Sequence, residues 1–250
     1  MHPILIRIGN ITIYTYGFFI ASAFLLGLVW AIHEAKKQDL DPQLVSDLGF
    51  YLIISGIIGA RLLYVLYNLG YFLNHPLEVF MVWKGGLVFA GGAILGVITG
   101  IFYLKSKKQD PWIWLDIFAP ALALGQFMGR IGCFMAGCCY GKVCNLPWAV
   151  TFKNPNSLAP LNVPLHPTQL YHSFAGLVTF FILIFSKSKV KAKGSLFGIF
   201  LICYGLFRSV IEYFRGDYRP SLGALSYTQI MGIGAMLIGF VIVILRERKR

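Results

Sequence analysis

The sequence predicts an all-α polytopic membrane protein: seven transmembrane helices carrying a small extracytoplasmic arm. Three observations lead there. Hydrophobic residues make up 57% of the 250 residues and charged residues only 13%, whereas soluble domains average roughly 25% charged. The apolar residues form seven continuous runs, each near the roughly 20 residues that a helix needs to cross hydrocarbon, and the mean hydropathy is +0.70. The basic residues, finally, gather in the short connections between the runs. Disorder, a disulfide-stapled mini-scaffold and a nucleic-acid partner are excluded by the same composition.

The runs fall at about 13–33, 44–67, 86–104, 111–132, 168–186, 194–213 and 222–245, within a single domain over 1–250. None shows the two-residue alternation of a barrel strand, so helices are expected. The third run carries Gly92, Gly96 and Gly100 at four-residue spacing, a stripe for close helix packing. Trp112 and Trp114, just after Pro111, read as an interfacial belt opening the fourth. The longest connection, 133–167, contains Pro147, Pro155, Pro160 and Pro164 and reads as a folded arm rather than a structureless loop. The first ten residues lack the basic start and small-residue cleavage site of a signal peptide.

Orientation follows from charge. With the N-terminus outside, the inner connections and C-terminus hold 13 of the 22 Lys and Arg: two at 36–37, three at 105–108, four at 187–193 and four at 246–250. The outer segments hold six, Arg7, Lys84, Lys142, Lys153, Arg215 and Arg219, and three more lie inside runs. The positive-inside rule therefore favours an extracytoplasmic N-terminus and a cytoplasmic C-terminus.

Ionisable groups inside a bilayer are expensive. Arg61, Arg130 and Arg208 all fall toward the outer ends of their runs, and Glu212 follows Arg208 by one turn. Tyr14 and Tyr16 open the first run from outside, and His166, Gln169, Tyr171 and His172 open the fifth. A single arginine can snorkel or pair with its neighbour. Three on one side with one carboxylate point instead to an anion at outer-leaflet depth, most simply a phospholipid headgroup. Gly85–Gly86 and Gly91–Gly92 flank the third run, where unwound backbone N–H groups would suit the same anion.

Cys133, Cys138, Cys139 and Cys144 lie within twelve residues, and Cys203 stands apart in an apolar run as a packing residue. In an oxidising compartment a disulfide among the four is the first expectation. A reactive thiol near Arg130 ranks second. Metal ranks last, because no C-x-x-C knuckle is present.

Seven stretches together resemble the bacterial prolipoprotein diacylglyceryl transferases along nearly the whole chain. They are Tyr14–Gly17, Gly59–Tyr64, Gly85–Gly92, Gly129–Phe134, His166–Tyr171, Tyr204–Arg208 with Glu212 and Arg215, and Leu225–Gln229. The resemblance implies an enzyme of the bacterial cytoplasmic membrane that takes diacylglyceryl from phosphatidylglycerol. It would pass that group to the lipobox cysteine of a preprolipoprotein signal peptide and release glycerol phosphate, with no cofactor and no metal. It further implies that Tyr16, Arg61, Gly85, Gly86, Gly91, Gly92, Gly141, Gln169, Tyr171, Tyr204 and Arg215 bind substrate. Arg130 and Arg208 would steady the departing phosphate, since guanidinium groups in a low-dielectric site stabilise such charge.

Three stretches depart from the family pattern, at four positions. Ala90 stands where the family commonly has histidine, Cys133 and Cys138 where it has Asn and Glu, and His172 where it has glutamate. The thiol proton then needs another acceptor. His2, His33 and His75 lie away from the motifs. His172 is the expected base with His166 orienting, and Glu212 or a thiolate near Arg130 comes next. Two alternatives remain open: a paralogue with the same donor and another acceptor, and a non-catalytic phospholipid binder or transporter.

Overall fold

An N-terminal hairpin, β1 (Ile4–Ile8) paired antiparallel with β2 (Ile11–Tyr14), runs straight into α1 (Thr15–Lys37). The computed structural model describes every residue except Asn10, Arg219, Pro220, Ala224, Lys249 and Arg250. Arg219, Lys249 and Arg250, used above to orient the chain, therefore lie outside the described residues, as does the side chain of Lys84. Lys36 and Lys37 close α1, where cations favour the helix dipole. Asp41 then caps α2 (Pro42–Tyr67) by accepting the Gln43 N–H at 2.9 Å, with Pro42 at the first helical position. A short α3 (Leu69–Asn74) and a 3-10 turn over Pro76–Phe80 lead to α4 (Phe89–Ser106) and α5 (Pro111–Ala136).

Beyond α5 the arm folds around two short strands, β3 (Val150–Thr151) and β4 (Pro164–Leu165). It has its own small core of Phe152, Ala159 and Leu165. Then come α6 (Thr168–Lys187), α7 (Ser195–Glu212), a tight hairpin of β5 (Ser221–Leu222) and β6 (Leu225–Ser226), and α8 (Tyr227–Arg248). Among the described residues seven helices, α1, α2 and α4 to α8, are long and apolar enough to cross a membrane. Two starts differ from the apolar runs. The third span begins at Phe89 rather than 86, because Gly85 and Gly86 take φ of 85° and 73° and break the helix. The seventh begins at Tyr227 rather than 222, since Ser221 and Leu222 pair with Ser226 and Leu225 instead.

The helices gather into two compact units, Met1–Ala31 with Trp112–Arg250 and Ile32–Pro111. Lipid is as apolar as leucine, so close backbone approach rather than hydrophobic burial holds such helices together. In the first unit α7 meets α8 at glycines: a Cβ on Gly205 would stand 2.2 Å from the Gly232 carbonyl oxygen. Ala119 and Ala123 of α5, Leu183 of α6, and Leu196 and Phe200 of α7 form the core beside that seam. At the far end from the arm, Asp116 accepts the Gly194 and Phe197 N–H groups at 2.6 and 2.8 Å and so caps α7.

In the second unit α2 meets α4. A Cβ on Gly59 would come within 2.4 Å of the Gly91 carbonyl oxygen, and one on Gly92 within 2.7 Å of that of Gly56. Gly96 and Gly100 face Leu52 at ordinary distance, so the tightest contact is displaced one turn toward the start of α4.

Candidate active site

Five segments of the first unit deliver polar groups to one end of its helices: the start of α1, the end of α5, the start of α6, the end of α7 and the start of α8. Arg208 is the centre of the arrangement. It is buried on α7, and its Nη1 lies 3.1 Å from Nε2 of His172. Guanidinium only donates, so Nε2 accepts and the imidazole hydrogen belongs on Nδ1. Nη2 of Arg208 meets Glu212 Oε2 at 3.6 Å, one turn along. The other oxygen of Glu212 accepts the hydroxyls of Ser226, at 3.1 Å, and Thr228. The hairpin and the first turn of α8 therefore fix the carboxylate that fixes the arginine.

Arg215 sits just past α7, where the chain is stitched to the arm. Lys142 N–H donates to Phe214 C=O at 2.8 Å, Gly216 N–H to Tyr140 C=O at 3.1 Å, and Gly141 N–H to His166 C=O at 3.0 Å. Arg215 forms a two-pronged pair with Asp217, Nε to Oδ1 at 2.8 Å and Nη2 to Oδ2 at 2.6 Å. Gly141 is where these backbones cross. A Cβ there would lie 2.5 Å from the His166 carbonyl oxygen and 2.8 Å from that of Phe214, so its place in the structure is that of a backbone crossing.

Arg130, half-buried near the end of α5, completes the cationic set. Arg130, Arg208 and Arg215 all stand within electrostatic reach of His172, and Arg130 and Arg215 within reach of Arg208. Three guanidinium groups thus lie within electrostatic reach of one another, with Glu212 and Asp217 as the carboxylates paired to two of them. Such a group is suited to an anion with several oxygens.

His166 and Tyr171 meet at the entry to α6. Trp148 Nε1 donates to the Tyr171 hydroxyl at 2.8 Å, and that hydroxyl lies 3.1 Å from His166 Nδ1. Phe214 packs on both rings. Tyr171 and Phe214 also line an apolar groove between α6 and α7 of about 440 Å³, with Phe174, Ala175, Val178, Phe207 and Ile211. Tyr204 lies one turn before Arg208 and stacks on Phe200, which places it within the helix core.

The cysteines take a form that the spacing did not suggest. All five are free thiols, so the expected disulfide is corrected. Cys133 projects from the last turn of α5, and Gly137 (φ 78°) turns the chain so that Cys138 and Cys139 come back toward it. The three sulfurs lie within 4.8 Å of one another. Gln169 Nε2 and Thr168 Oγ1 pin the Cys138 and Cys139 carbonyls, each at 2.7 Å. Cys144 lies outside this triangle. Hydrogen bonds from the neighbouring thiols of Cys133 and Cys138, then the charges of Arg215 and Arg130, hold Cys139 far below the ordinary thiol range despite burial. Cys138, which shares its hydrogen within the cluster and is itself half-buried, is pushed up. Tyr16 faces the same three sulfurs and Arg130.

Arg61 belongs to the second unit and has a different occupation from the one expected. Its guanidinium donates to the carbonyls of Val79 at 2.8 Å, Gly85 at 2.8 Å, Gly86 at 3.2 Å and Glu78. It also lies over the rings of Tyr64 and Phe72. Gly85 and Gly86 therefore turn carbonyls toward a cation rather than N–H groups toward an anion. Gly91 and Gly92 have their N–H groups on Val88 and serve the α2–α4 seam. His172, the expected base, has its Nε2 engaged by Arg208 and is 1% exposed.

Asp217, Ser226, Thr228 and Thr168 are the functional-site residues that sequence reasoning passed over. Ser226 and Thr228 lie in a stretch that carries the family resemblance, which was a usable signal. Thr168 lies in the His166–Tyr171 stretch and carried the same signal, whereas Asp217 gave none, as short polar residues at a span end are common.

The sequence pattern of the family described as prolipoprotein diacylglyceryl transferase matches residues 3–245. The chain is 38% identical over 252 residues to the phosphatidylglycerol–prolipoprotein diacylglyceryl transferase of Clostridium tetani, covering all of both chains. It is 34% identical to the protein of that name from Geobacter sulfurreducens, covering 99% of this chain and 96% of the other. With the Vibrio cholerae protein of that name it shares 38% identity over 97% of this chain and 90% of the other. With seven membrane-length helices, the expected motifs and full-length relatives, the chain belongs to the prolipoprotein diacylglyceryl transferase family.

Proposed function

We propose that this chain transfers the diacylglyceryl group of phosphatidylglycerol to the lipobox cysteine thiol of a preprolipoprotein signal peptide, releasing glycerol phosphate. The observation that carries the proposal is the meeting of Arg130, Arg208 and Arg215 at one end of membrane-length helices, beside an apolar groove. A phospholipid is the anion that needs both parts at once. Its phosphate fits the guanidinium groups, and an acyl chain fits the groove between α6 and α7.

The chemistry follows from that placement. The acceptor sulfur, as thiolate, attacks the glycerol carbon that bears the phosphate ester. A C–S bond forms, the C–O bond breaks, and the electron pair leaves on the phosphate oxygen. Arg130 and Arg208 stabilise that growing charge, more in the transition state than in the bound lipid. His172 and Glu212 position Arg208 from two sides, and Asp217 positions Arg215. Gln169 holds the Cys138 carbonyl, Tyr171 closes the groove and His166 orients Tyr171. Arg61 shapes the connection between α2 and α4. Tyr16 borders the acceptor side.

The site lies at the extracytoplasmic face of the bacterial inner membrane in this reading, with the N-terminus outside and the C-terminus in the cytoplasm. The bias of Lys and Arg supports that orientation, and reporter fusions at 105–110 and within 133–167 test it. The function is tested with purified protein in phosphatidylglycerol nanodiscs. Glycerol phosphate should be released only when a lipobox peptide is added, with a matching mass increase on its cysteine. Release without peptide modification would mean another acceptor. Binding of phosphatidylglycerol with no release would mean a lipid binder.

A further inference from the structure

We propose that Cys133, Cys138 and Cys139 bind one Zn²⁺ through their sulfurs and leave its fourth position to the thiol of the acceptor. The proposal rests on the transfer reaction above and names how its nucleophile is made.

The geometry is that of a nearly formed ligand set. Zinc holds thiolate sulfurs at about 2.3 Å, which in a tetrahedron sets them roughly 3.8 Å apart. Here the three sulfurs lie within 4.8 Å of one another. Small rotations of the side chains would bring them onto one ion. The spacing in sequence hides this set, because two ligands are adjacent residues that ordinarily point apart. The turn overcomes that: Cys139 takes φ of 62°, a left-handed conformation that costs a non-glycine residue about 1 kcal/mol or more. It persists because two fully buried side chains, Thr168 and Gln169, tie down the carbonyls of Cys139 and Cys138.

Charge agrees with the geometry. Three thiolates around Zn²⁺ carry a net charge of −1, and Arg130 and Arg215 within reach of Cys139 offset it. In three-ligand zinc sites the remaining position takes water or substrate. A thiol bound there loses its proton outright and becomes a nucleophile. In this chain that proton leaves to water, the bound thiolate attacks the glycerol carbon, and the electron pair of the broken C–O bond goes to the phosphate. The product thioether carries no charge and is released from the ion. No histidine base is then required, which accommodates both Ala90 and the engagement of His172 with Arg208.

The test titrates Co²⁺, then Zn²⁺, into the purified metal-free full chain in nanodiscs. Cobalt should develop sulfur-to-metal charge-transfer absorption that saturates near one ion per chain, and Zn²⁺ should abolish it. Adding a lipobox peptide should intensify the band as a fourth sulfur joins, and a peptide with serine in place of the lipobox cysteine should not. Cys139→Ser and Cys138→Ser should lose most of the band, while Cys144→Ser and Cys203→Ser should keep it. Absence of the band in the parent protein overturns the site without reference to any variant. So does recovery of two of the three cysteines as a disulfide from membranes alkylated under non-reducing conditions. Activity separates the two readings: an active, metal-free protein overturns the zinc site and leaves the transfer function standing. A metal-loaded protein that modifies no lipobox peptide overturns the transfer function and with it the role of the fourth position.

Discussion

Arg208 of α7 donates to Nε2 of His172 on α6 across 3.1 Å, and neither residue is more than 7% exposed. A histidine held this way cannot accept a proton at Nε2 without turning a donor against a donor. Its Nδ1 has no hydrogen-bond partner among the described residues. The pair is a positioning contact that holds the Arg208 guanidinium against α6.

His172→Gln should therefore retain more activity than His172→Ala, because the amide oxygen can still accept from Arg208. Losing a hydrogen bond to a charged group costs about 1.5–3 kcal/mol, so the alanine variant should slow by roughly 10- to 100-fold. Rates measured over about pH 5.5–8.5 should keep the parent profile in the glutamine variant. Loss of the acidic limb, where the rate falls as pH drops, would instead restore His172 as the base.

Arg130→Ala and Arg208→Ala should each lose about a hundred- to a thousandfold in turnover while the protein still inserts and accumulates. Lysine at either position should rescue poorly, as a point charge cannot make the planar fork. Glycerol phosphate release from phosphatidylglycerol nanodiscs measures both. Near-parent turnover in the two alanine variants would remove the phosphate role.

Arg61→Lys should behave differently. The guanidinium serves the carbonyls of four residues, and an ammonium cannot span them. The expected outcome is a loss of about 3 kcal/mol or more in stability, read as a lower Tm in detergent. Turnover per folded molecule should stay close to that of the parent. Equal Tm with reduced turnover would return Arg61 to the lipid site.

Gly141→Ala should compromise the arm rather than lipid affinity. Its Cβ would meet backbone oxygens of His166 and Phe214 at 2.5 and 2.8 Å, and backbone has nowhere to yield. Limited proteolysis of 137–167 should accelerate in the variant. Parent-like protease resistance with weakened phosphatidylglycerol binding would contradict this.

The spans were legible because runs of apolar residues report directly on a solvent that cannot hydrogen-bond to backbone. Their ends were legible only where a charge or proline marked them. The start at Phe89 was not, because the break depends on positive φ at Gly85 and Gly86. The nearness of Arg130 to Arg208 could be read from their shared depth, whereas Arg215 entered the site only through the family resemblance. The work of Arg61 could not, since its partners are carbonyls 17 to 25 residues away and a carbonyl leaves no trace in residue type. The cysteines misled for a related reason. Their spacing and presumed compartment suggested a disulfide, whereas the turn at Gly137 and the left-handed Cys139 bring three sulfurs together without joining any two.

The cap that Asp116 places on the start of α7 has a consequence at the opposite end of that helix. Both its oxygens are used, on Gly194 and Phe197, so α7 is pinned to α5 at a fixed height and rotation. Arg208 lies thirteen residues beyond Ser195, which at 1.5 Å per residue puts it about 20 Å up the helix axis. From that fixed point α7 works as a ruler. Adding or deleting one residue between Phe197 and Arg208 would swing the guanidinium about 100° around the axis, away from His172. The arm can absorb changes in length, as surface connections do. The 18 residues of α7 cannot, because their number is itself a dimension of the active centre.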